Sequence, residues 1–415
     1  MNASEYIRID RAIRRQGAWS DSQAVSCAAG DLYNLAFVSG NAGHLLGGSR
    51  YDCPTHGLTF DGEATDDDVI DCNIQENIQF RYPLLREPTH PGGLRRRDHV
   101  IILLHGLNER SFAKYLPWAY QLRQRTGDPV VLFPLAFHMN RVFPGWAAKQ
   151  QGIYLRRSAL ADNDGAHRFN ATISDRLDNR PERFLWGTVQ SYLDLMDLAR
   201  EIRSGRHPHF SRDARIDFLG YSAGGYVSLI LLLEDPEGLF TTSRAVIFGS
   251  SVPTRDLHLC SPLILDSAAD TALTKLYVRH IDSLPGARMQ HWFECHGEGK
   301  WIRALSGPKA DSSLIEHRLR QIGARILGIA NRNDNVAPVG SMLNSLQGLR
   351  RDTGIRVVEF DLGLHESPFV SEGYGKFCRR LVTEVLDEAR YGEAFDEFVQ
   401  VSAAHLQQQA GAGSQ

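Results

Sequence analysis

Short, largely apolar runs recur along most of this chain, and the first of them, at 99–106, is too unbroken for a strand with one wet face. They are HVIILLHG at 99–106, PVVLFPL at 129–135, RIDFLG at 215–220, RAVIFGS at 244–250, RILGIA at 325–330 and IRVVEF at 355–360. Runs of that length and filling describe strands buried on both faces, as parallel strands are. Between several of them the period changes to that of a helix. Leu185, Val189, Leu193, Met196 and Ile202 recur at helical spacing ahead of the run at 215–220, as in a crossover helix laid on a sheet. Strands alternating with helices predict an α/β fold with a mostly parallel sheet, helices on both faces and a ligand site at the carboxyl ends of the strands.

The same pattern divides the chain. Residues 1–98 read as an N-terminal extension that contributes the first sheet strands. It has glycine-rich turns at 40–48, an acidic loop at Asp66, Asp67 and Asp68, and short strand candidates around Leu58–Phe60 and Ile78–Tyr82. Residues 99–250 hold the first part of the core and 321–395 the second, the latter closing with a helix marked by Phe377, Leu381, Val382 and Leu386. Two connections, 136–184 and 251–320, are too long for simple crossovers and are expected to act as lids or specificity walls. Residues 396–415, ending HLQQQAGAGSQ, read as a flexible tail.

Composition narrows the function classes. Of 415 residues, 42% are hydrophobic and 23% charged, too apolar for a disordered chain. Lys plus Arg is 46 against 49 Asp plus Glu, so a net charge of −3 offers no global field for nucleic acid. The longest apolar run, LILLL at 229–233, is far below the ~20 residues of a membrane span. The first twenty residues lack the apolar stretch of a secretory signal, so a cytoplasmic location is expected. Six cysteines without a C-x-x-C pair argue against a disulfide scaffold or a zinc knuckle. His207-Pro-His209 resembles a metal pair but has no third ligand. No dinucleotide fingerprint or P-loop is present either, so neither metal nor cofactor is expected.

The strongest chemical signal is FLGYSAGGYVSLILLL at 218–233, in which Gly220-Tyr221-Ser222-Ala223-Gly224 lies between a buried strand and a helix. Small residues at 220, 224 and 225 suit a turn too tight for side chains, and the turn would raise the Ser222 hydroxyl beside a helix N-terminus. The rival reading is a helix cap in a glycine-rich turn. A serine nucleophile needs a base and an acid to orient it. His365 follows the last strand in GLHE, and Asp334 follows the strand before it in RNDNVAP. Asp361 competes as the acid, while His291 and His296 compete as bases only if their insertion folds deeply over the site. In LLHGLNERSF, the backbone N–H of Leu107 stands just after a central strand and pairs with that of Ala223 as a donor to a developing oxyanion. His105 reads as a brace for that loop, and Asn108 as either a brace or a substrate contact.

Together LLHG, GYSAGG, NRNDNVAP and GLHE resemble the α/β-hydrolase superfamily over roughly residues 99–390, with no subfamily singled out. The resemblance implies about eight mostly parallel strands, with Ser222 as nucleophile after the fifth, Asp334 as acid after the seventh and His365 as base after the eighth. Leu107 and Ala223 would form the oxyanion hole, and 251–320 a cap entering after the sixth strand. The chain departs from common small esterases in its long N-terminal extension, its longer stretch between His105-Gly106 and Ser222, and its lack of an HGGG loop. The implied activity is hydrolysis of a small-molecule carboxylic ester through an acyl-enzyme. Asn108, Tyr221, Phe137 and Trp292 are candidate substrate contacts, with Phe143, Trp146 and Trp301 as further aromatic wall. Amide or peptide hydrolysis, acyl transfer with the same triad, and a catalytically silent scaffold remain the alternatives, and the oligomeric state is open.

Overall fold

A computed structural model describes residues 24–27, 30–47, 50–61, 69–88, 94–250, 256–277, 286–306, 312–369 and 388–408. Strands β1 (Ala24–Cys27), β2 (Gly30–Val38), β5 (Gln79–Arg86), β6 (Arg97–Leu104), β7 (Val130–Phe133), β8 (Phe210–Tyr221), β9 (Ala245–Phe248), β10 (Ile326–Asn331) and β11 (Arg356–Phe360) form one sheet. Its spatial order is β1-β2-β5-β7-β6-β8-β9-β10-β11, and β3 (Arg50–Asp52) pairs with β4 (Thr59–Asp61) as a separate hairpin. Pairings from β7 through to β11 are all parallel, while β1, β2 and β5 join through antiparallel pairings. The chain passes from β6 outward to β7 and returns to place β8 on the other side of β6. That reversal opens a crevice at the carboxyl ends of β6 and β8.

Alternation along the strands explains why both faces are covered. In β6, Val100, Ile102 and Leu104 enter one core and Ile101 and Leu103 the other, the period of two that a strand imposes. The first core receives α4 (Glu182–Arg203) through Leu185, Val189, Tyr192, Met196 and Ile202, and α5 (Ala223–Glu234) through Val227, Ile230 and Leu231. The second receives α1 (Leu116–Thr126) through Trp118 and Leu122, and α11 (Glu388–Gln407) through Phe395, Phe398, Val399 and Leu406.

Helix α11 corrects the expected tail. Residues 396–407 are helical, and Phe398, Val399 and Leu406 are fully buried at helical spacing. The glutamines around Leu406 hid that stripe in the sequence. Arg244 Nε donates to the Gln408 carbonyl at 2.9 Å, so the helix end is also tied down. The closing helix expected around Phe377, Leu381, Val382 and Leu386, and the acidic loop Asp66–Asp68, lie outside the described residues.

The two long connections meet over the strand ends. The first contains α2 (Gly145–Ser158) and α3 (Ala171–Asn179), and the second begins with residues 256–277, including α6 (Ser267–Lys275). Arg157 on α2 grips both carboxylate oxygens of Asp266, with Nη2 to Oδ1 at 2.7 Å, in a planar fork that favours one geometry. Asn170 Nδ2 donates to the Ser261 carbonyl at 2.8 Å, and the Ser267 N–H to the Asp164 carbonyl at 2.9 Å. Farther along, α7 (Ala287–Cys295) and α8 (Gly297–Ser306) leave the strand ends and pack on α4 and α5, before α9 (Ser312–Ile322) leads into β10 and α10 (Val339–Gln347) joins β10 to β11. Of the expected cap, the described residues that border the crevice fall within 256–277. Among the described residues no helix is long and apolar enough to cross a membrane.

Candidate active site

Ser222 occupies the single residue between β8 and α5, with φ 51° and ψ −117°. A non-glycine residue there is strained, and the conformation persists because neighbours over-determine it. The Ser222 N–H donates to the Phe248 carbonyl and the Gly224 N–H to the His105 carbonyl, both at 2.9 Å. A Cβ at Gly224 would stand 2.5 Å from the Leu104 carbonyl, and one at Gly220 would stand 2.5 Å from the Gly224 oxygen. The small residues are thus required by the approach of α5 to β6 and β8.

His365 lies past β11 and Asp334 past β10. The Ser222 hydroxyl is 3.2 Å from His365 Nε2, and His365 Nδ1 is 2.7 Å from Asp334 Oδ2. A carboxylate only accepts, so Nδ1 carries the proton and Nε2 is left to accept from the serine. The other Asp334 oxygen accepts the N–H groups of Val336 and Ala337 at 2.8 and 2.7 Å, which locks the carboxylate. Asp334 is 7% exposed and His365 3%, so water has little access to compete. Asp361 is exposed and meets Asn333 at 3.4 Å instead.

A cleft of about 220 Å³ opens on Ser222 and His365, bordered by Leu107, Asn108, Glu109, Lys114, Phe169, Leu263 and Glu366. Two apolar cavities of about 70 and 40 Å³ border Leu107 and Ala223, and the smaller also borders Ser222. Phe137 lines the larger cavity beside Leu177, Phe184 and Tyr226. Asn108 lines the cleft, but its Nδ2 donates to the Phe169 and Leu263 carbonyls at 3.0 and 2.7 Å. Its amide braces the two insertions. Tyr221 lines the same cleft while its hydroxyl donates to the His365 carbonyl, and burial holds its pKa far above the usual range, so it stays a donor. His105 accepts from the Leu135 N–H at 2.9 Å and donates to the Gly106 carbonyl. Burial first, then His138, holds its pKa well below the ordinary value, so it is neutral.

Trp292 is not a substrate contact. It is 2% exposed, stacks on His296 with ring centroids 3.8 Å apart and meets Trp186 on α4. Spacing marked it as aromatic but could not say that its helix packs away from the strand ends. His291 and His296 lie with it. His207 and His209 meet Tyr82 and Arg86 at 3.0 Å.

Sequence reasoning passed over Asn331, the last residue of β10. Its Nδ2 donates to the Gly363 carbonyl at 2.6 Å and its Oδ1 accepts the Leu362 N–H at 3.0 Å, which fixes the loop carrying His365. A polar residue ending an apolar strand was the available signal. Lys114 was also missed. It pairs with Glu109, donates to the Glu366 carbonyl at 3.0 Å and sits 4.6 Å from the centre of the Tyr221 ring.

Setting aside the edge strand β1, the strand order and the serine elbow after the fifth strand are those of the α/β-hydrolase fold. A protein-family model described as a family of unknown function, DUF6051, matches residues 13–389. The chain belongs to the DUF6051 family. Among solved structures, carboxyl esterase 2 from the mycorrhizal fungus Tuber melanosporum is similar at 12% identity and TM-score 0.45, covering 94% of this chain and 90% of that one. A thermostable esterase from Pseudomonas putida is similar at 9% and 0.41, covering 99% and 92%. An esterase from Pyrobaculum calidifontis gives 10% and 0.38, covering 97% and 93%. No curated protein sequence matches this DUF6051 chain.

Proposed function

We propose that this protein is a serine hydrolase that cleaves small carboxylic esters through an acyl-enzyme. The observation that carries the reading is the continuous relay from the Ser222 hydroxyl through His365 to a doubly anchored Asp334. In the first step Ser222 Oγ attacks the ester carbonyl as His365 Nε2 takes its proton, and Asp334 stabilises the imidazolium that forms. The N–H groups of Leu107 and Ala223 receive the oxyanion. Ala223 is the first residue of α5, where the helix supplies no acceptor for its N–H, and the bond from Gly224 to His105 ties its turn to that of Leu107. Each such donor contributes about 3 kcal/mol of barrier lowering. His365 then gives its proton to the departing alkoxide. It next activates water against the acyl-enzyme, and collapse of that second tetrahedral intermediate frees the acid and returns the proton to Ser222.

The surroundings favour a short acyl chain. At roughly 10–15 Å³ per water-sized group, the apolar cavities hold only a handful of such groups, while the larger, more polar cleft suits the alcohol portion. A fluorophosphonate probe should label the protein once, at the peptide containing Ser222, as read by mass spectrometry. A label that persists in the Ser222→Ala variant would overturn the assignment.

A further inference from the structure

Cys53, His56, His291 and His296 bring their ligand atoms within 4.8 Å of one another. Cys53 and His56 come from the turn between β3 and β4, His291 from the middle of α7 and His296 from the residue after that helix. None of the four lines the cleft or the apolar cavities beside Ser222. We propose that these four side chains form a structural zinc site, which the serine hydrolase reading neither needs nor uses.

The geometry fits a tetrahedral ion. With Zn–S near 2.3 Å and Zn–N near 2.0 Å, neighbouring ligand atoms sit roughly 3.3–3.6 Å apart. Cys53 Sγ is 3.4 Å from His56 Nδ1 and 3.4 Å from His296 Nε2. An imidazole centroid lies roughly 3.2 Å from a zinc it binds, so three rings at tetrahedral angles have centroids roughly 5.2 Å apart. The three ring pairs here measure 4.9, 4.9 and 5.4 Å and stand nearly perpendicular to one another. The His291-x-x-x-x-His296 spacing falls within the three to five residues that separate zinc-binding histidine pairs, and Cys53-x-x-His56 sets its two ligands in one tight turn.

Hydrogen bonding alone leaves this cluster unsatisfied. One thiol proton serves one imidazole at a time, and His291 Nε2 is buried with no hydrogen-bond partner in a side chain only 8% exposed. Burying such groups without a partner is costly, whereas a thiolate and three neutral imidazoles bound to one cation would all be satisfied. Outside the ligands, Glu298 Oε1 lies 3.8 Å from His296 Nδ1, too far for a hydrogen bond but close enough for its charge to favour a cation at the cluster. Trp292 stacks flat on His296, and Phe60 packs against His291, shielding the centre. His56 is exposed and gives the ion a way in. The thiolate–imidazole donor set and four protein ligands favour zinc in a closed, non-catalytic site that would staple the β3–β4 hairpin to α7.

The full-length protein, purified without chelator, should contain one zinc per chain by mass spectrometry of the metal. Its cobalt-substituted form should show the intense visible bands of tetrahedral cobalt and a thiolate-to-cobalt band. Cys53→Ala and His296→Ala should each lower zinc content at least tenfold, whereas Ser222→Ala should retain it in full. Stripping zinc should lower the melting temperature of the wild type, and added zinc should restore it. Wild-type protein that carries no zinc and takes up neither zinc nor cobalt would overturn the proposal, as would variants that keep full zinc. Should the variants fail to fold, the wild-type cobalt spectrum decides the matter alone. Fluorophosphonate labelling of Ser222 reports on the hydrolase reading separately.

Discussion

Ser222 and His365 are 143 positions apart and Cys53 and His296 are 243, so both constellations in this molecule exist only through tertiary structure. They differ in what holds them. The serine relay stands on loops that leave the carboxyl ends of β8, β10 and β11, and parallel strands bring those ends together whatever the loops contain. The cysteine–histidine cluster stands on a hairpin outside the main sheet and on an insertion helix, and among the described residues no strand pairing joins the two. The sheet topology thus brings the serine relay together, while the hairpin and α7 meet through side chains, among them Tyr51 on Trp292, Phe60 on His291 and Arg288 over Tyr51.

Substitutions that touch one constellation should leave the other alone, and beyond the nucleophile and base themselves the largest effect is expected at the acid. Asp334→Asn keeps the size of the side chain but no longer selects the His365 tautomer, so ester turnover should fall about 10⁴-fold in kcat. Zinc content should be unchanged, and loss of both would mean that the two sites are coupled. A smaller effect is expected at Asn331. Asn331→Ala removes two hydrogen bonds to the His365 loop and should cost about 1–3 kcal/mol in denaturant unfolding, since the partner groups are left unsatisfied. It should also lower kcat about tenfold with KM little changed, because it loosens the base and touches no substrate. An unchanged kcat would show that the loop holds itself.

Legibility in the sequence followed the same division. The runs at 99–106, 244–250 and 325–330 were readable as sheet because burial on both faces leaves an apolar core to each run, and β9 and β10 are buried throughout, while 215–220 was readable despite the buried Asp217 within it. The elbow was readable because close packing of α5 on β6 permits only small residues at 220 and 224. Asp334 and His365 could be located from the strands before them. The edge strand β1 was not foreseen, since four residues, Ala24–Cys27, carry no period. Trp292 was misplaced because a helix period does not tell which neighbour its apolar face meets. The metal cluster was not legible because Cys53-x-x-His56 is not a cysteine pair, and because His291 and His296 lie more than 230 positions along the chain from that turn.

The central claim is that Ser222 is an armed nucleophile acting on esters. The most direct test is steady-state hydrolysis of short- and medium-chain p-nitrophenyl esters by the wild type and by Ser222→Ala, with melting curves to show that both are folded. The account predicts turnover by the wild type, fastest on short acyl chains, and a loss of several orders of magnitude in the folded variant. Turnover that survives in Ser222→Ala, or a folded wild type that hydrolyses none of the esters, would contradict it.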